Sequence, residues 1–338
     1  MEFNQSLSML INSWTGLETS LGAIARVKDF LAEVKAEGSE MEDEIPTNEW
    51  PKRGYIHMTG VTAKYNIGNV HSQSAIRDVN LEVQPGQVVL ITGRTGSGKS
   101  SLVLTLLRLL DLESGRITID GMDLSRIPRP ALRSRVVTIP QDPVELPGSV
   151  RYNLTQVPSS EAISGDDEEA MKRTLERVGL GETVCKRGGL DGELTDIGLS
   201  GGQKQLFSLA RALLAVQSKR AEGGIVLLDE PTSSVDGGTE VDMQRIVREE
   251  FARHTIVLVS HRLDAARDAD IVVLMEGGRV AEGVGNILVT LSDALISGPA
   301  VQERFGVAKY SGIVLFTGAS SLPKLFSVPS ISVASMAD

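Results

Sequence analysis

Gly93-Arg94-Thr95-Gly96-Ser97-Gly98-Lys99-Ser100 is the stretch whose residue types and spacing most directly specify chemistry. A Gly-x-x-x-x-Gly-Lys-Ser loop lets the backbone curl so that successive N–H groups face inward, and a helix that follows adds its positive dipole end. Lys99 can then reach the β- and γ-phosphates of a nucleotide, and Ser100 can ligate Mg²⁺. The plain alternative is a Gly-rich turn that binds nothing. Against it stand the flanking patterns, an apolar run Val88-Val89-Leu90-Ile91 before the loop and a helix-like run from Leu102 to Leu110 after it.

A second group of residues could supply the rest of a phosphoryl-transfer site. Ile225 to Leu228 delivers Asp229 and Glu230 to the carboxyl end of an apolar strand, the edge at which open α/β sheets place their ligands. Asp229 is suited to hold Mg²⁺ or its water, and Glu230 to orient the water that attacks the γ-phosphorus. His261 ends the next apolar strand, which places a donor near the same edge; a lone histidine is more often structural, and position alone argues for function here. Gln141, after Val136 to Pro140, can likewise reach Mg²⁺ and the attacking water. Leu199-Ser200-Gly201-Gly202-Gln203 opens a helix with apolar residues at Leu206, Phe207, Ala210, Leu213 and Leu214. A hydroxyl, two glycines and a helix N-terminus can hold a phosphate. Because the first loop already serves the chain's own phosphates, this second anion site suits a nucleotide bound by another domain.

The elements that must position these residues follow from periodicity. Tyr55 to Met58 and Ala75 to Val83 alternate apolar and polar residues, as half-buried antiparallel strands do. Further strands are expected at Arg116 to Asp120 and Val136 to Ile139. Between Asp142 and Ala221 helical runs dominate, which predicts an inserted helical subdomain over about residues 142–222. Ile225 to Leu228, Ile256 to Val259 and Ile271 to Leu274 are continuous apolar runs that fit strands buried on both faces. The cluster Asp166-Asp167-Glu168-Glu169 could suggest a metal, but negative charge at the start of a predicted helix from Ala170 to Val178 suits the helix dipole.

Near the amino terminus Leu7, Leu10, Trp14, Leu17, Leu21, Ile24 and Leu31 draw one narrow stripe along a helix over residues 1–36, built to pack lengthwise on a partner or on the chain's own core. Residues 37–52 read as a linker, and residues 286–338 as a segment without a clean period, partly disordered.

The 338 residues, 41% of them apolar, suffice for one large core with a satellite. A net charge of −10 argues against a nucleic-acid partner. The single Cys185 excludes an intrachain disulfide, fits a reducing compartment, and is expected to be half-buried. Met-Glu at the start, without a basic and apolar leader, is unlike a secretory signal, and no run approaches the roughly 18 apolar residues of a membrane span.

Taken together, the loop at 93–100, Gln141, Leu199 to Gln203, Leu228-Asp229-Glu230-Pro231, Ser233-Ser234-Val235-Asp236 and His261 resemble, in order and spacing, the nucleotide-binding domain of ATP-binding-cassette (ABC) transporters. The resemblance covers residues 53–285. It implies a P-loop NTPase cassette of the α/β class, with a mixed core sheet, an antiparallel β subdomain and an inserted helical subdomain. It also implies that Tyr65 stacks on adenine, that Gly93 to Ser101 hold ATP, that Ser100, Gln141 and Asp229 hold Mg²⁺, and that Lys99, Gln141, Glu230 and His261 carry the chemistry. By the same resemblance Leu199 to Gln203 contact a partner's ATP, and Ser233 to Asp236 cross a dimer interface.

More narrowly, Leu106-Leu107-Arg108-Leu109, Ile127-Pro128-Arg129, Leu132-Arg133-Ser134-Arg135 and Ile139-Pro140-Gln141-Asp142-Pro143 look like the second cassette of the multidrug-resistance-associated (C) subfamily, with a fungal character. In that subfamily the segment similar to Thr15 to Ser20 continues from the last membrane helix, so the chain is similar to the carboxyl-terminal piece of a longer transporter. The implied activity is ATP hydrolysis driving export of drugs, conjugates or secondary metabolites, with a second nucleotide-binding domain and membrane domains as partners at the cytosolic face of a membrane. A non-transport ABC ATPase and an ATP-binding fragment without transport are the alternatives. Past Gly285 the chain does not follow the family's terminal helices.

Overall fold

The computed structural model describes residues 2–33, 42–65, 73–156, 165–219, 223–232 and 235–281. Two units divide it at Glu42/Asp43. The first is a single helix, α1 (Glu2–Glu33). Thr15, Thr19 and Ser20 turn their hydroxyls back onto the carbonyls of Ile11, Thr15 and Gly16, which keeps these polar side chains satisfied within the helix. A single helix offers no second surface to cover its own apolar stripe.

The second unit begins with residues that composition marks as linker but that pack on the domain. Trp50 is 6% exposed and its indole N–H donates to the Ile119 carbonyl at 3.1 Å. Arg135 donates to the carbonyls of Thr47 and Trp50, and Arg126 pairs with Asp43. An antiparallel sheet follows, built by β1 (Ile56–Lys64) and β2 (Ile76–Val83). Next come β3 (Val88–Gly93) and helix α2 (Lys99–Leu106). The expected helix to Leu110 stops four residues short, because Arg108 takes a left-handed φ of 51° and the N–H groups of Leu109 and Leu110 both return to the Leu104 carbonyl. The chain is thereby released early, and β4 (Asp111–Ile119) starts five residues before the expected Arg116. With β5 (Met122–Asp123) the first sheet runs β2-β1-β4-β5.

After α3 (Arg129–Arg133) and β6 (Val137–Ile139) the chain enters the helical insertion. Its helices are α4 (Val150–Thr155), α5 (Gly165–Arg177), α6 (Gly181–Cys185), α7 (Leu194–Ile197) and the long α8 (Gly201–Lys219). The acidic cluster at 166–169 lies in the first turn of α5, and Glu168 pairs with Arg151 and Lys172. Fully buried Asn153 organises the entry: its amide donates to the carbonyls of Leu146, Gly148 and Ser149 and accepts from the Leu146 N–H. Cys185 is exposed rather than half-buried, since it sits on the last turn of α6 one residue after the buried Val184.

The chain then returns through β7 (Ile225–Asp229), α9 (Gly237–Glu250), β8 (Thr255–Val259), β9 (Ile271–Glu276) and β10 (Arg279–Val280). These four strands, with β3 and β6, form a six-stranded sheet in the order β10-β9-β3-β8-β7-β6, parallel except for β10. The period of two explains why its strands read as unbroken apolar runs. Val89, Ile91, Ile225, Leu227, Val257, Val259, Ile271 and Val273 turn to one core, shared with α2 and the antiparallel sheet. Val226, Leu228 and Ile256 turn to the other, filled by α8 and α9, while Leu90 and Val272 meet Ala266 and Ala269.

Candidate functional site

Strand order brings the scattered residues of the sequence to one edge. Along the carboxyl ends of the parallel strands lie the loop after β3, then Ser260 and His261 after β8, then Asp229 and Glu230 at β7, then Gln141 after β6. Two cross-strand bonds lock these ends: Ser260 N–H donates to the Ile91 carbonyl at 3.1 Å, and Glu230 N–H to the Val259 carbonyl at 3.0 Å. Glu230 holds a left-handed φ of 44°, a costly conformation for a non-glycine residue of the kind that recurs at sites where a side chain must be aimed.

The loop itself is shaped by glycine where nothing larger fits. Gly93 has φ 148°, and a β-carbon there would lie 2.3 Å from the Met275 carbonyl oxygen; Gly98 has φ 102°, with the Ala75 oxygen 2.8 Å from such an atom. Lys99 is 8% exposed, and its ammonium donates to the carbonyls of Gly93 and Arg94, each at 3.1 Å. An ammonium has three donors, so one remains for a phosphate oxygen. Ser97 Oγ is buried without a hydrogen-bond partner. Arg94, Thr95 and Gly96 are exposed at the mouth. Helix α2 begins at Lys99, so the unpaired N–H groups of its first turn border the loop. Tyr65 is 49% exposed just past β1 and its hydroxyl meets Ser101 Oγ at 3.1 Å, which stands the ring beside this helix start.

Helix α2 also carries Ser100 across to β7. Its hydroxyl donates to Asp229 Oδ1 at 3.2 Å, although β8 separates β3 from β7 in the sheet. Burial pushes the Asp229 carboxyl above its ordinary range; the Ser100 hydrogen bond and the Lys99 ammonium oppose this, and the neighbouring Glu230 charge adds to it. A hydroxyl and a partly buried carboxylate that meet in this way fit Mg²⁺, which takes a few hard protein oxygens and completes its shell with water and phosphate. Glu230 Oε1 and His261 Nδ1 are 3.5 Å apart, with the imidazole 60% exposed and the carboxylate 19%.

The Leu199 to Gln203 stretch folds as a reciprocal cap on α8. Ser200 N–H donates to Gln203 Oε1 at 3.0 Å, and Gln203 N–H donates to Ser200 Oγ at 3.3 Å. Leu199 anchors the turn in the core at 6% exposure, while Ser200 and Gly201 face solvent. The Ser200 hydroxyl keeps its proton for a further acceptor. Two residues on, fully buried Gln205 donates to the Gln141 carbonyl and so joins this helix to the loop after β6. Gln141 itself is exposed. Of the expected interface loop, Ser233 and Ser234 lie outside the described residues. Asp236 caps α9, accepting from the N–H groups of Gly238 and Thr239, and the Thr239 N–H and hydroxyl hold its carboxyl below the usual range.

Sequence reasoning did not single out Gln205, Glu240, Arg262 or Gly278. Gly278 N–H donates to the Ser97 carbonyl at 2.9 Å and its own carbonyl accepts from Arg77 N–H at 2.7 Å, which ties the β9–β10 turn between the phosphate loop and β2. Glu240, in the first turn of α9, accepts from Thr232 and pairs with Arg262. The available signal was weak: a glutamate four residues past a capping aspartate, and an arginine directly after His261.

Comparison with known proteins agrees with this geometry. Residues 76–233 match the family model described as ABC transporter. ABC multidrug transporter B of Aspergillus fumigatus is 41% identical over 281 residues, which cover 83% of this chain and 18% of that protein. The ABC-type transporter braE of Annulohypoxylon truncatum is 40% identical over 314 residues, covering 83% and 21%. ABC transporter FGM5 of Gibberella zeae is 42% identical over 301 residues, covering 83% and 20%. The chain thus spans about a fifth of the length of the curated relatives it matches. A bacterial Atm1-family ABC exporter solved with ATP bound superposes with a TM-score of 0.62 at 25% identity, covering 78% of this chain and 44% of that one. Glycine-shaped loop, strand-edge carboxylates, the capped start of α8 and these likenesses converge on one conclusion, that the chain carries an ABC transporter ATP-binding domain.

Proposed function

We propose that this chain binds MgATP between its phosphate loop and the Asp229–Glu230 edge, hydrolyses it, and thereby drives export of small molecules by a transporter of which it forms one part. The observation that carries the reading is the single strand edge on which Lys99, Ser100 against Asp229, and Glu230 against His261 are brought together from positions far apart in sequence. Lys99 neutralises phosphate charge, and Tyr65 offers a face to adenine. Bound Mg²⁺, held by Ser100 and Asp229 with Gln141 in reach, would offset charge on the β- and γ-oxygens. Glu230 orients a water in line with the γ-phosphorus and accepts its proton, and His261 donates a hydrogen bond to the γ-phosphate as the bond to ADP breaks. The products are ADP and inorganic phosphate. Glu230→Gln should retain nucleotide binding and lower turnover by on the order of 10²–10³. Turnover at the parental rate would remove Glu230 from this role.

The working unit in this proposal is a head-to-tail pair of cassettes, in which Ser200 and Gly202 of one meet the γ-phosphate held by the other and the loop through Asp236 crosses between them. The outward-facing Ser200 hydroxyl supports it. Mixing a Lys99→Ala chain with a Ser200→Arg chain should restore activity that neither has, because one composite site is then intact; a mixture no better than its components argues against sharing. We assign the chain to the second-cassette position of the C subfamily, coupled at the cytosolic face to membrane helices of the same transporter. The name of one fungal relative, ABC multidrug transporter B, supports export of drugs, and among the described residues no helix is long and apolar enough to cross a membrane. Co-expression with a C-subfamily membrane half should carry the tagged chain into the membrane fraction and raise efflux.

A further inference from the structure

Glu240 is a carboxylate nearly sealed from water, with its side chain 7% exposed. A charge in that position persists only when it is paired and hydrogen-bonded, and here the partners come from separate segments. Arg262 Nη1 lies 2.5 Å from Oε2, Thr232 Oγ1 donates to Oε1 at 3.2 Å, and Gln244 Nε2 donates to the same oxygen at 3.3 Å. Thr232 stands two residues after Glu230, and Arg262 directly follows His261. One buried carboxylate therefore fastens together the two loops that leave β7 and β8. At the roots of those loops Glu230 and His261 face each other at 3.5 Å. Arg262 is fixed a second time, by its N–H donating to Ser260 Oγ at 3.0 Å, so the peptide carrying His261 is held on both sides. An apolar side chain could fill the same space without setting the direction of either loop.

We infer that Glu240 is a positioning residue, which through Arg262 and Thr232 holds His261 in register with Glu230 and so governs turnover without contributing to nucleotide affinity. The inference rests on the hydrolytic reading above and goes beyond it by naming what sets the geometry. Its test uses the full chain and the variants Glu240→Gln, Arg262→Met and Arg262→Lys, each also in a His261→Ala background. Turnover, KM, affinity for a fluorescent ATP analogue and hydrogen–deuterium exchange of the peptide spanning 260–268 are measured. Displacing a reacting group by a fraction of an ångström to an ångström costs about tenfold to a hundredfold in rate, so Glu240→Gln and Arg262→Met should lower kcat by that much. Affinity should move by less than about twofold, and Arg262→Lys should recover part of the loss. In the His261→Ala background the further loss from Glu240→Gln should shrink to less than about twofold, because the group being positioned is gone. Exchange at 260–268 should rise in Glu240→Gln and in Arg262→Met while β3 stays protected. An undiminished loss in the His261→Ala background, or a fall in affinity that matches the fall in rate, would overturn the inference. Absence of turnover in the parent chain would sink the hydrolytic reading instead; exchange at 260–268 still decides this one, and unchanged exchange in both variants refutes it.

Discussion

Lys99 spends two of its three donors on the carbonyls of its own loop, so the loop is held in its curled form by the same group proposed to reach the phosphate. Lys99→Ala should therefore do two things, loosening the loop and weakening ATP binding by about tenfold to a hundredfold, the worth of one charge-assisted hydrogen bond. Titration with a fluorescent nucleotide measures the second effect, and an unchanged affinity would refute it. Lysine, serine, the paired acids and the histidine were all legible in the sequence because each stands beside a strand or helix boundary that periodicity reveals. Glu240 with Arg262, and Gln205 with Gln141, were not legible. Those pairs are separated by 22 and 64 residues, and nothing local in either member signals the other; the sheet order alone brings them together.

Among the elements, α9 has the clearest dependence on a single side chain. Asp236 accepts from the Gly238 and Thr239 N–H groups of its first turn, and its carboxyl is held below the ordinary aspartate value of 3.8 by the Thr239 N–H and hydroxyl. A group whose folded pKa is depressed stabilises the fold fully above its unfolded pKa and loses that contribution as pH falls through the folded one. Asp236→Ala should thus lower the urea midpoint at neutral pH, with the deficit shrinking below pH 3.8, whereas Asp236→Asn should retain most of the cap and show no such slope. The loop–α2 junction is tested by Gly98→Ala. A left-handed conformation and a carbonyl oxygen 2.8 Å from the added carbon should cost about 1–3 kcal/mol or more, read as a lower unfolding midpoint. The parallel strands were readable as apolar runs, because burial on both faces leaves that mark. The short β5 and β10 carry only two residues each, too few for a period, and the early end of α2 depends on a left-handed arginine that no propensity foretells.

At the level of the second unit, the six-stranded sheet separates two cores. Leu102 on α2 is fully buried in one, and Phe207 on α8, at 2% exposure, lies in the other. Leu102→Ala should cost about 2–5 kcal/mol and Phe207→Ala about 3–5 kcal/mol. With a sheet between them the losses should add within about 0.5 kcal/mol in the double variant, and a larger discrepancy would mean that the cores are coupled. Helix α8 and the phosphate-loop helix α2 thus rest on opposite sides of one slab, and Gln205 is a polar tie from the former to the loop after β6. The docking of Trp50 has a practical consequence. The chain holds two tryptophans, Trp14 on α1 at 67% exposure and Trp50 packed at 6% with its indole bonded to Ile119. Each unit therefore has its own intrinsic fluorophore: Trp14 emits as an indole in water and Trp50 as one shielded from it. Replacing Trp14 by phenylalanine leaves a spectrum that reports the opening of the nucleotide-binding unit alone, with no dye attached and no residue of the strand edge disturbed.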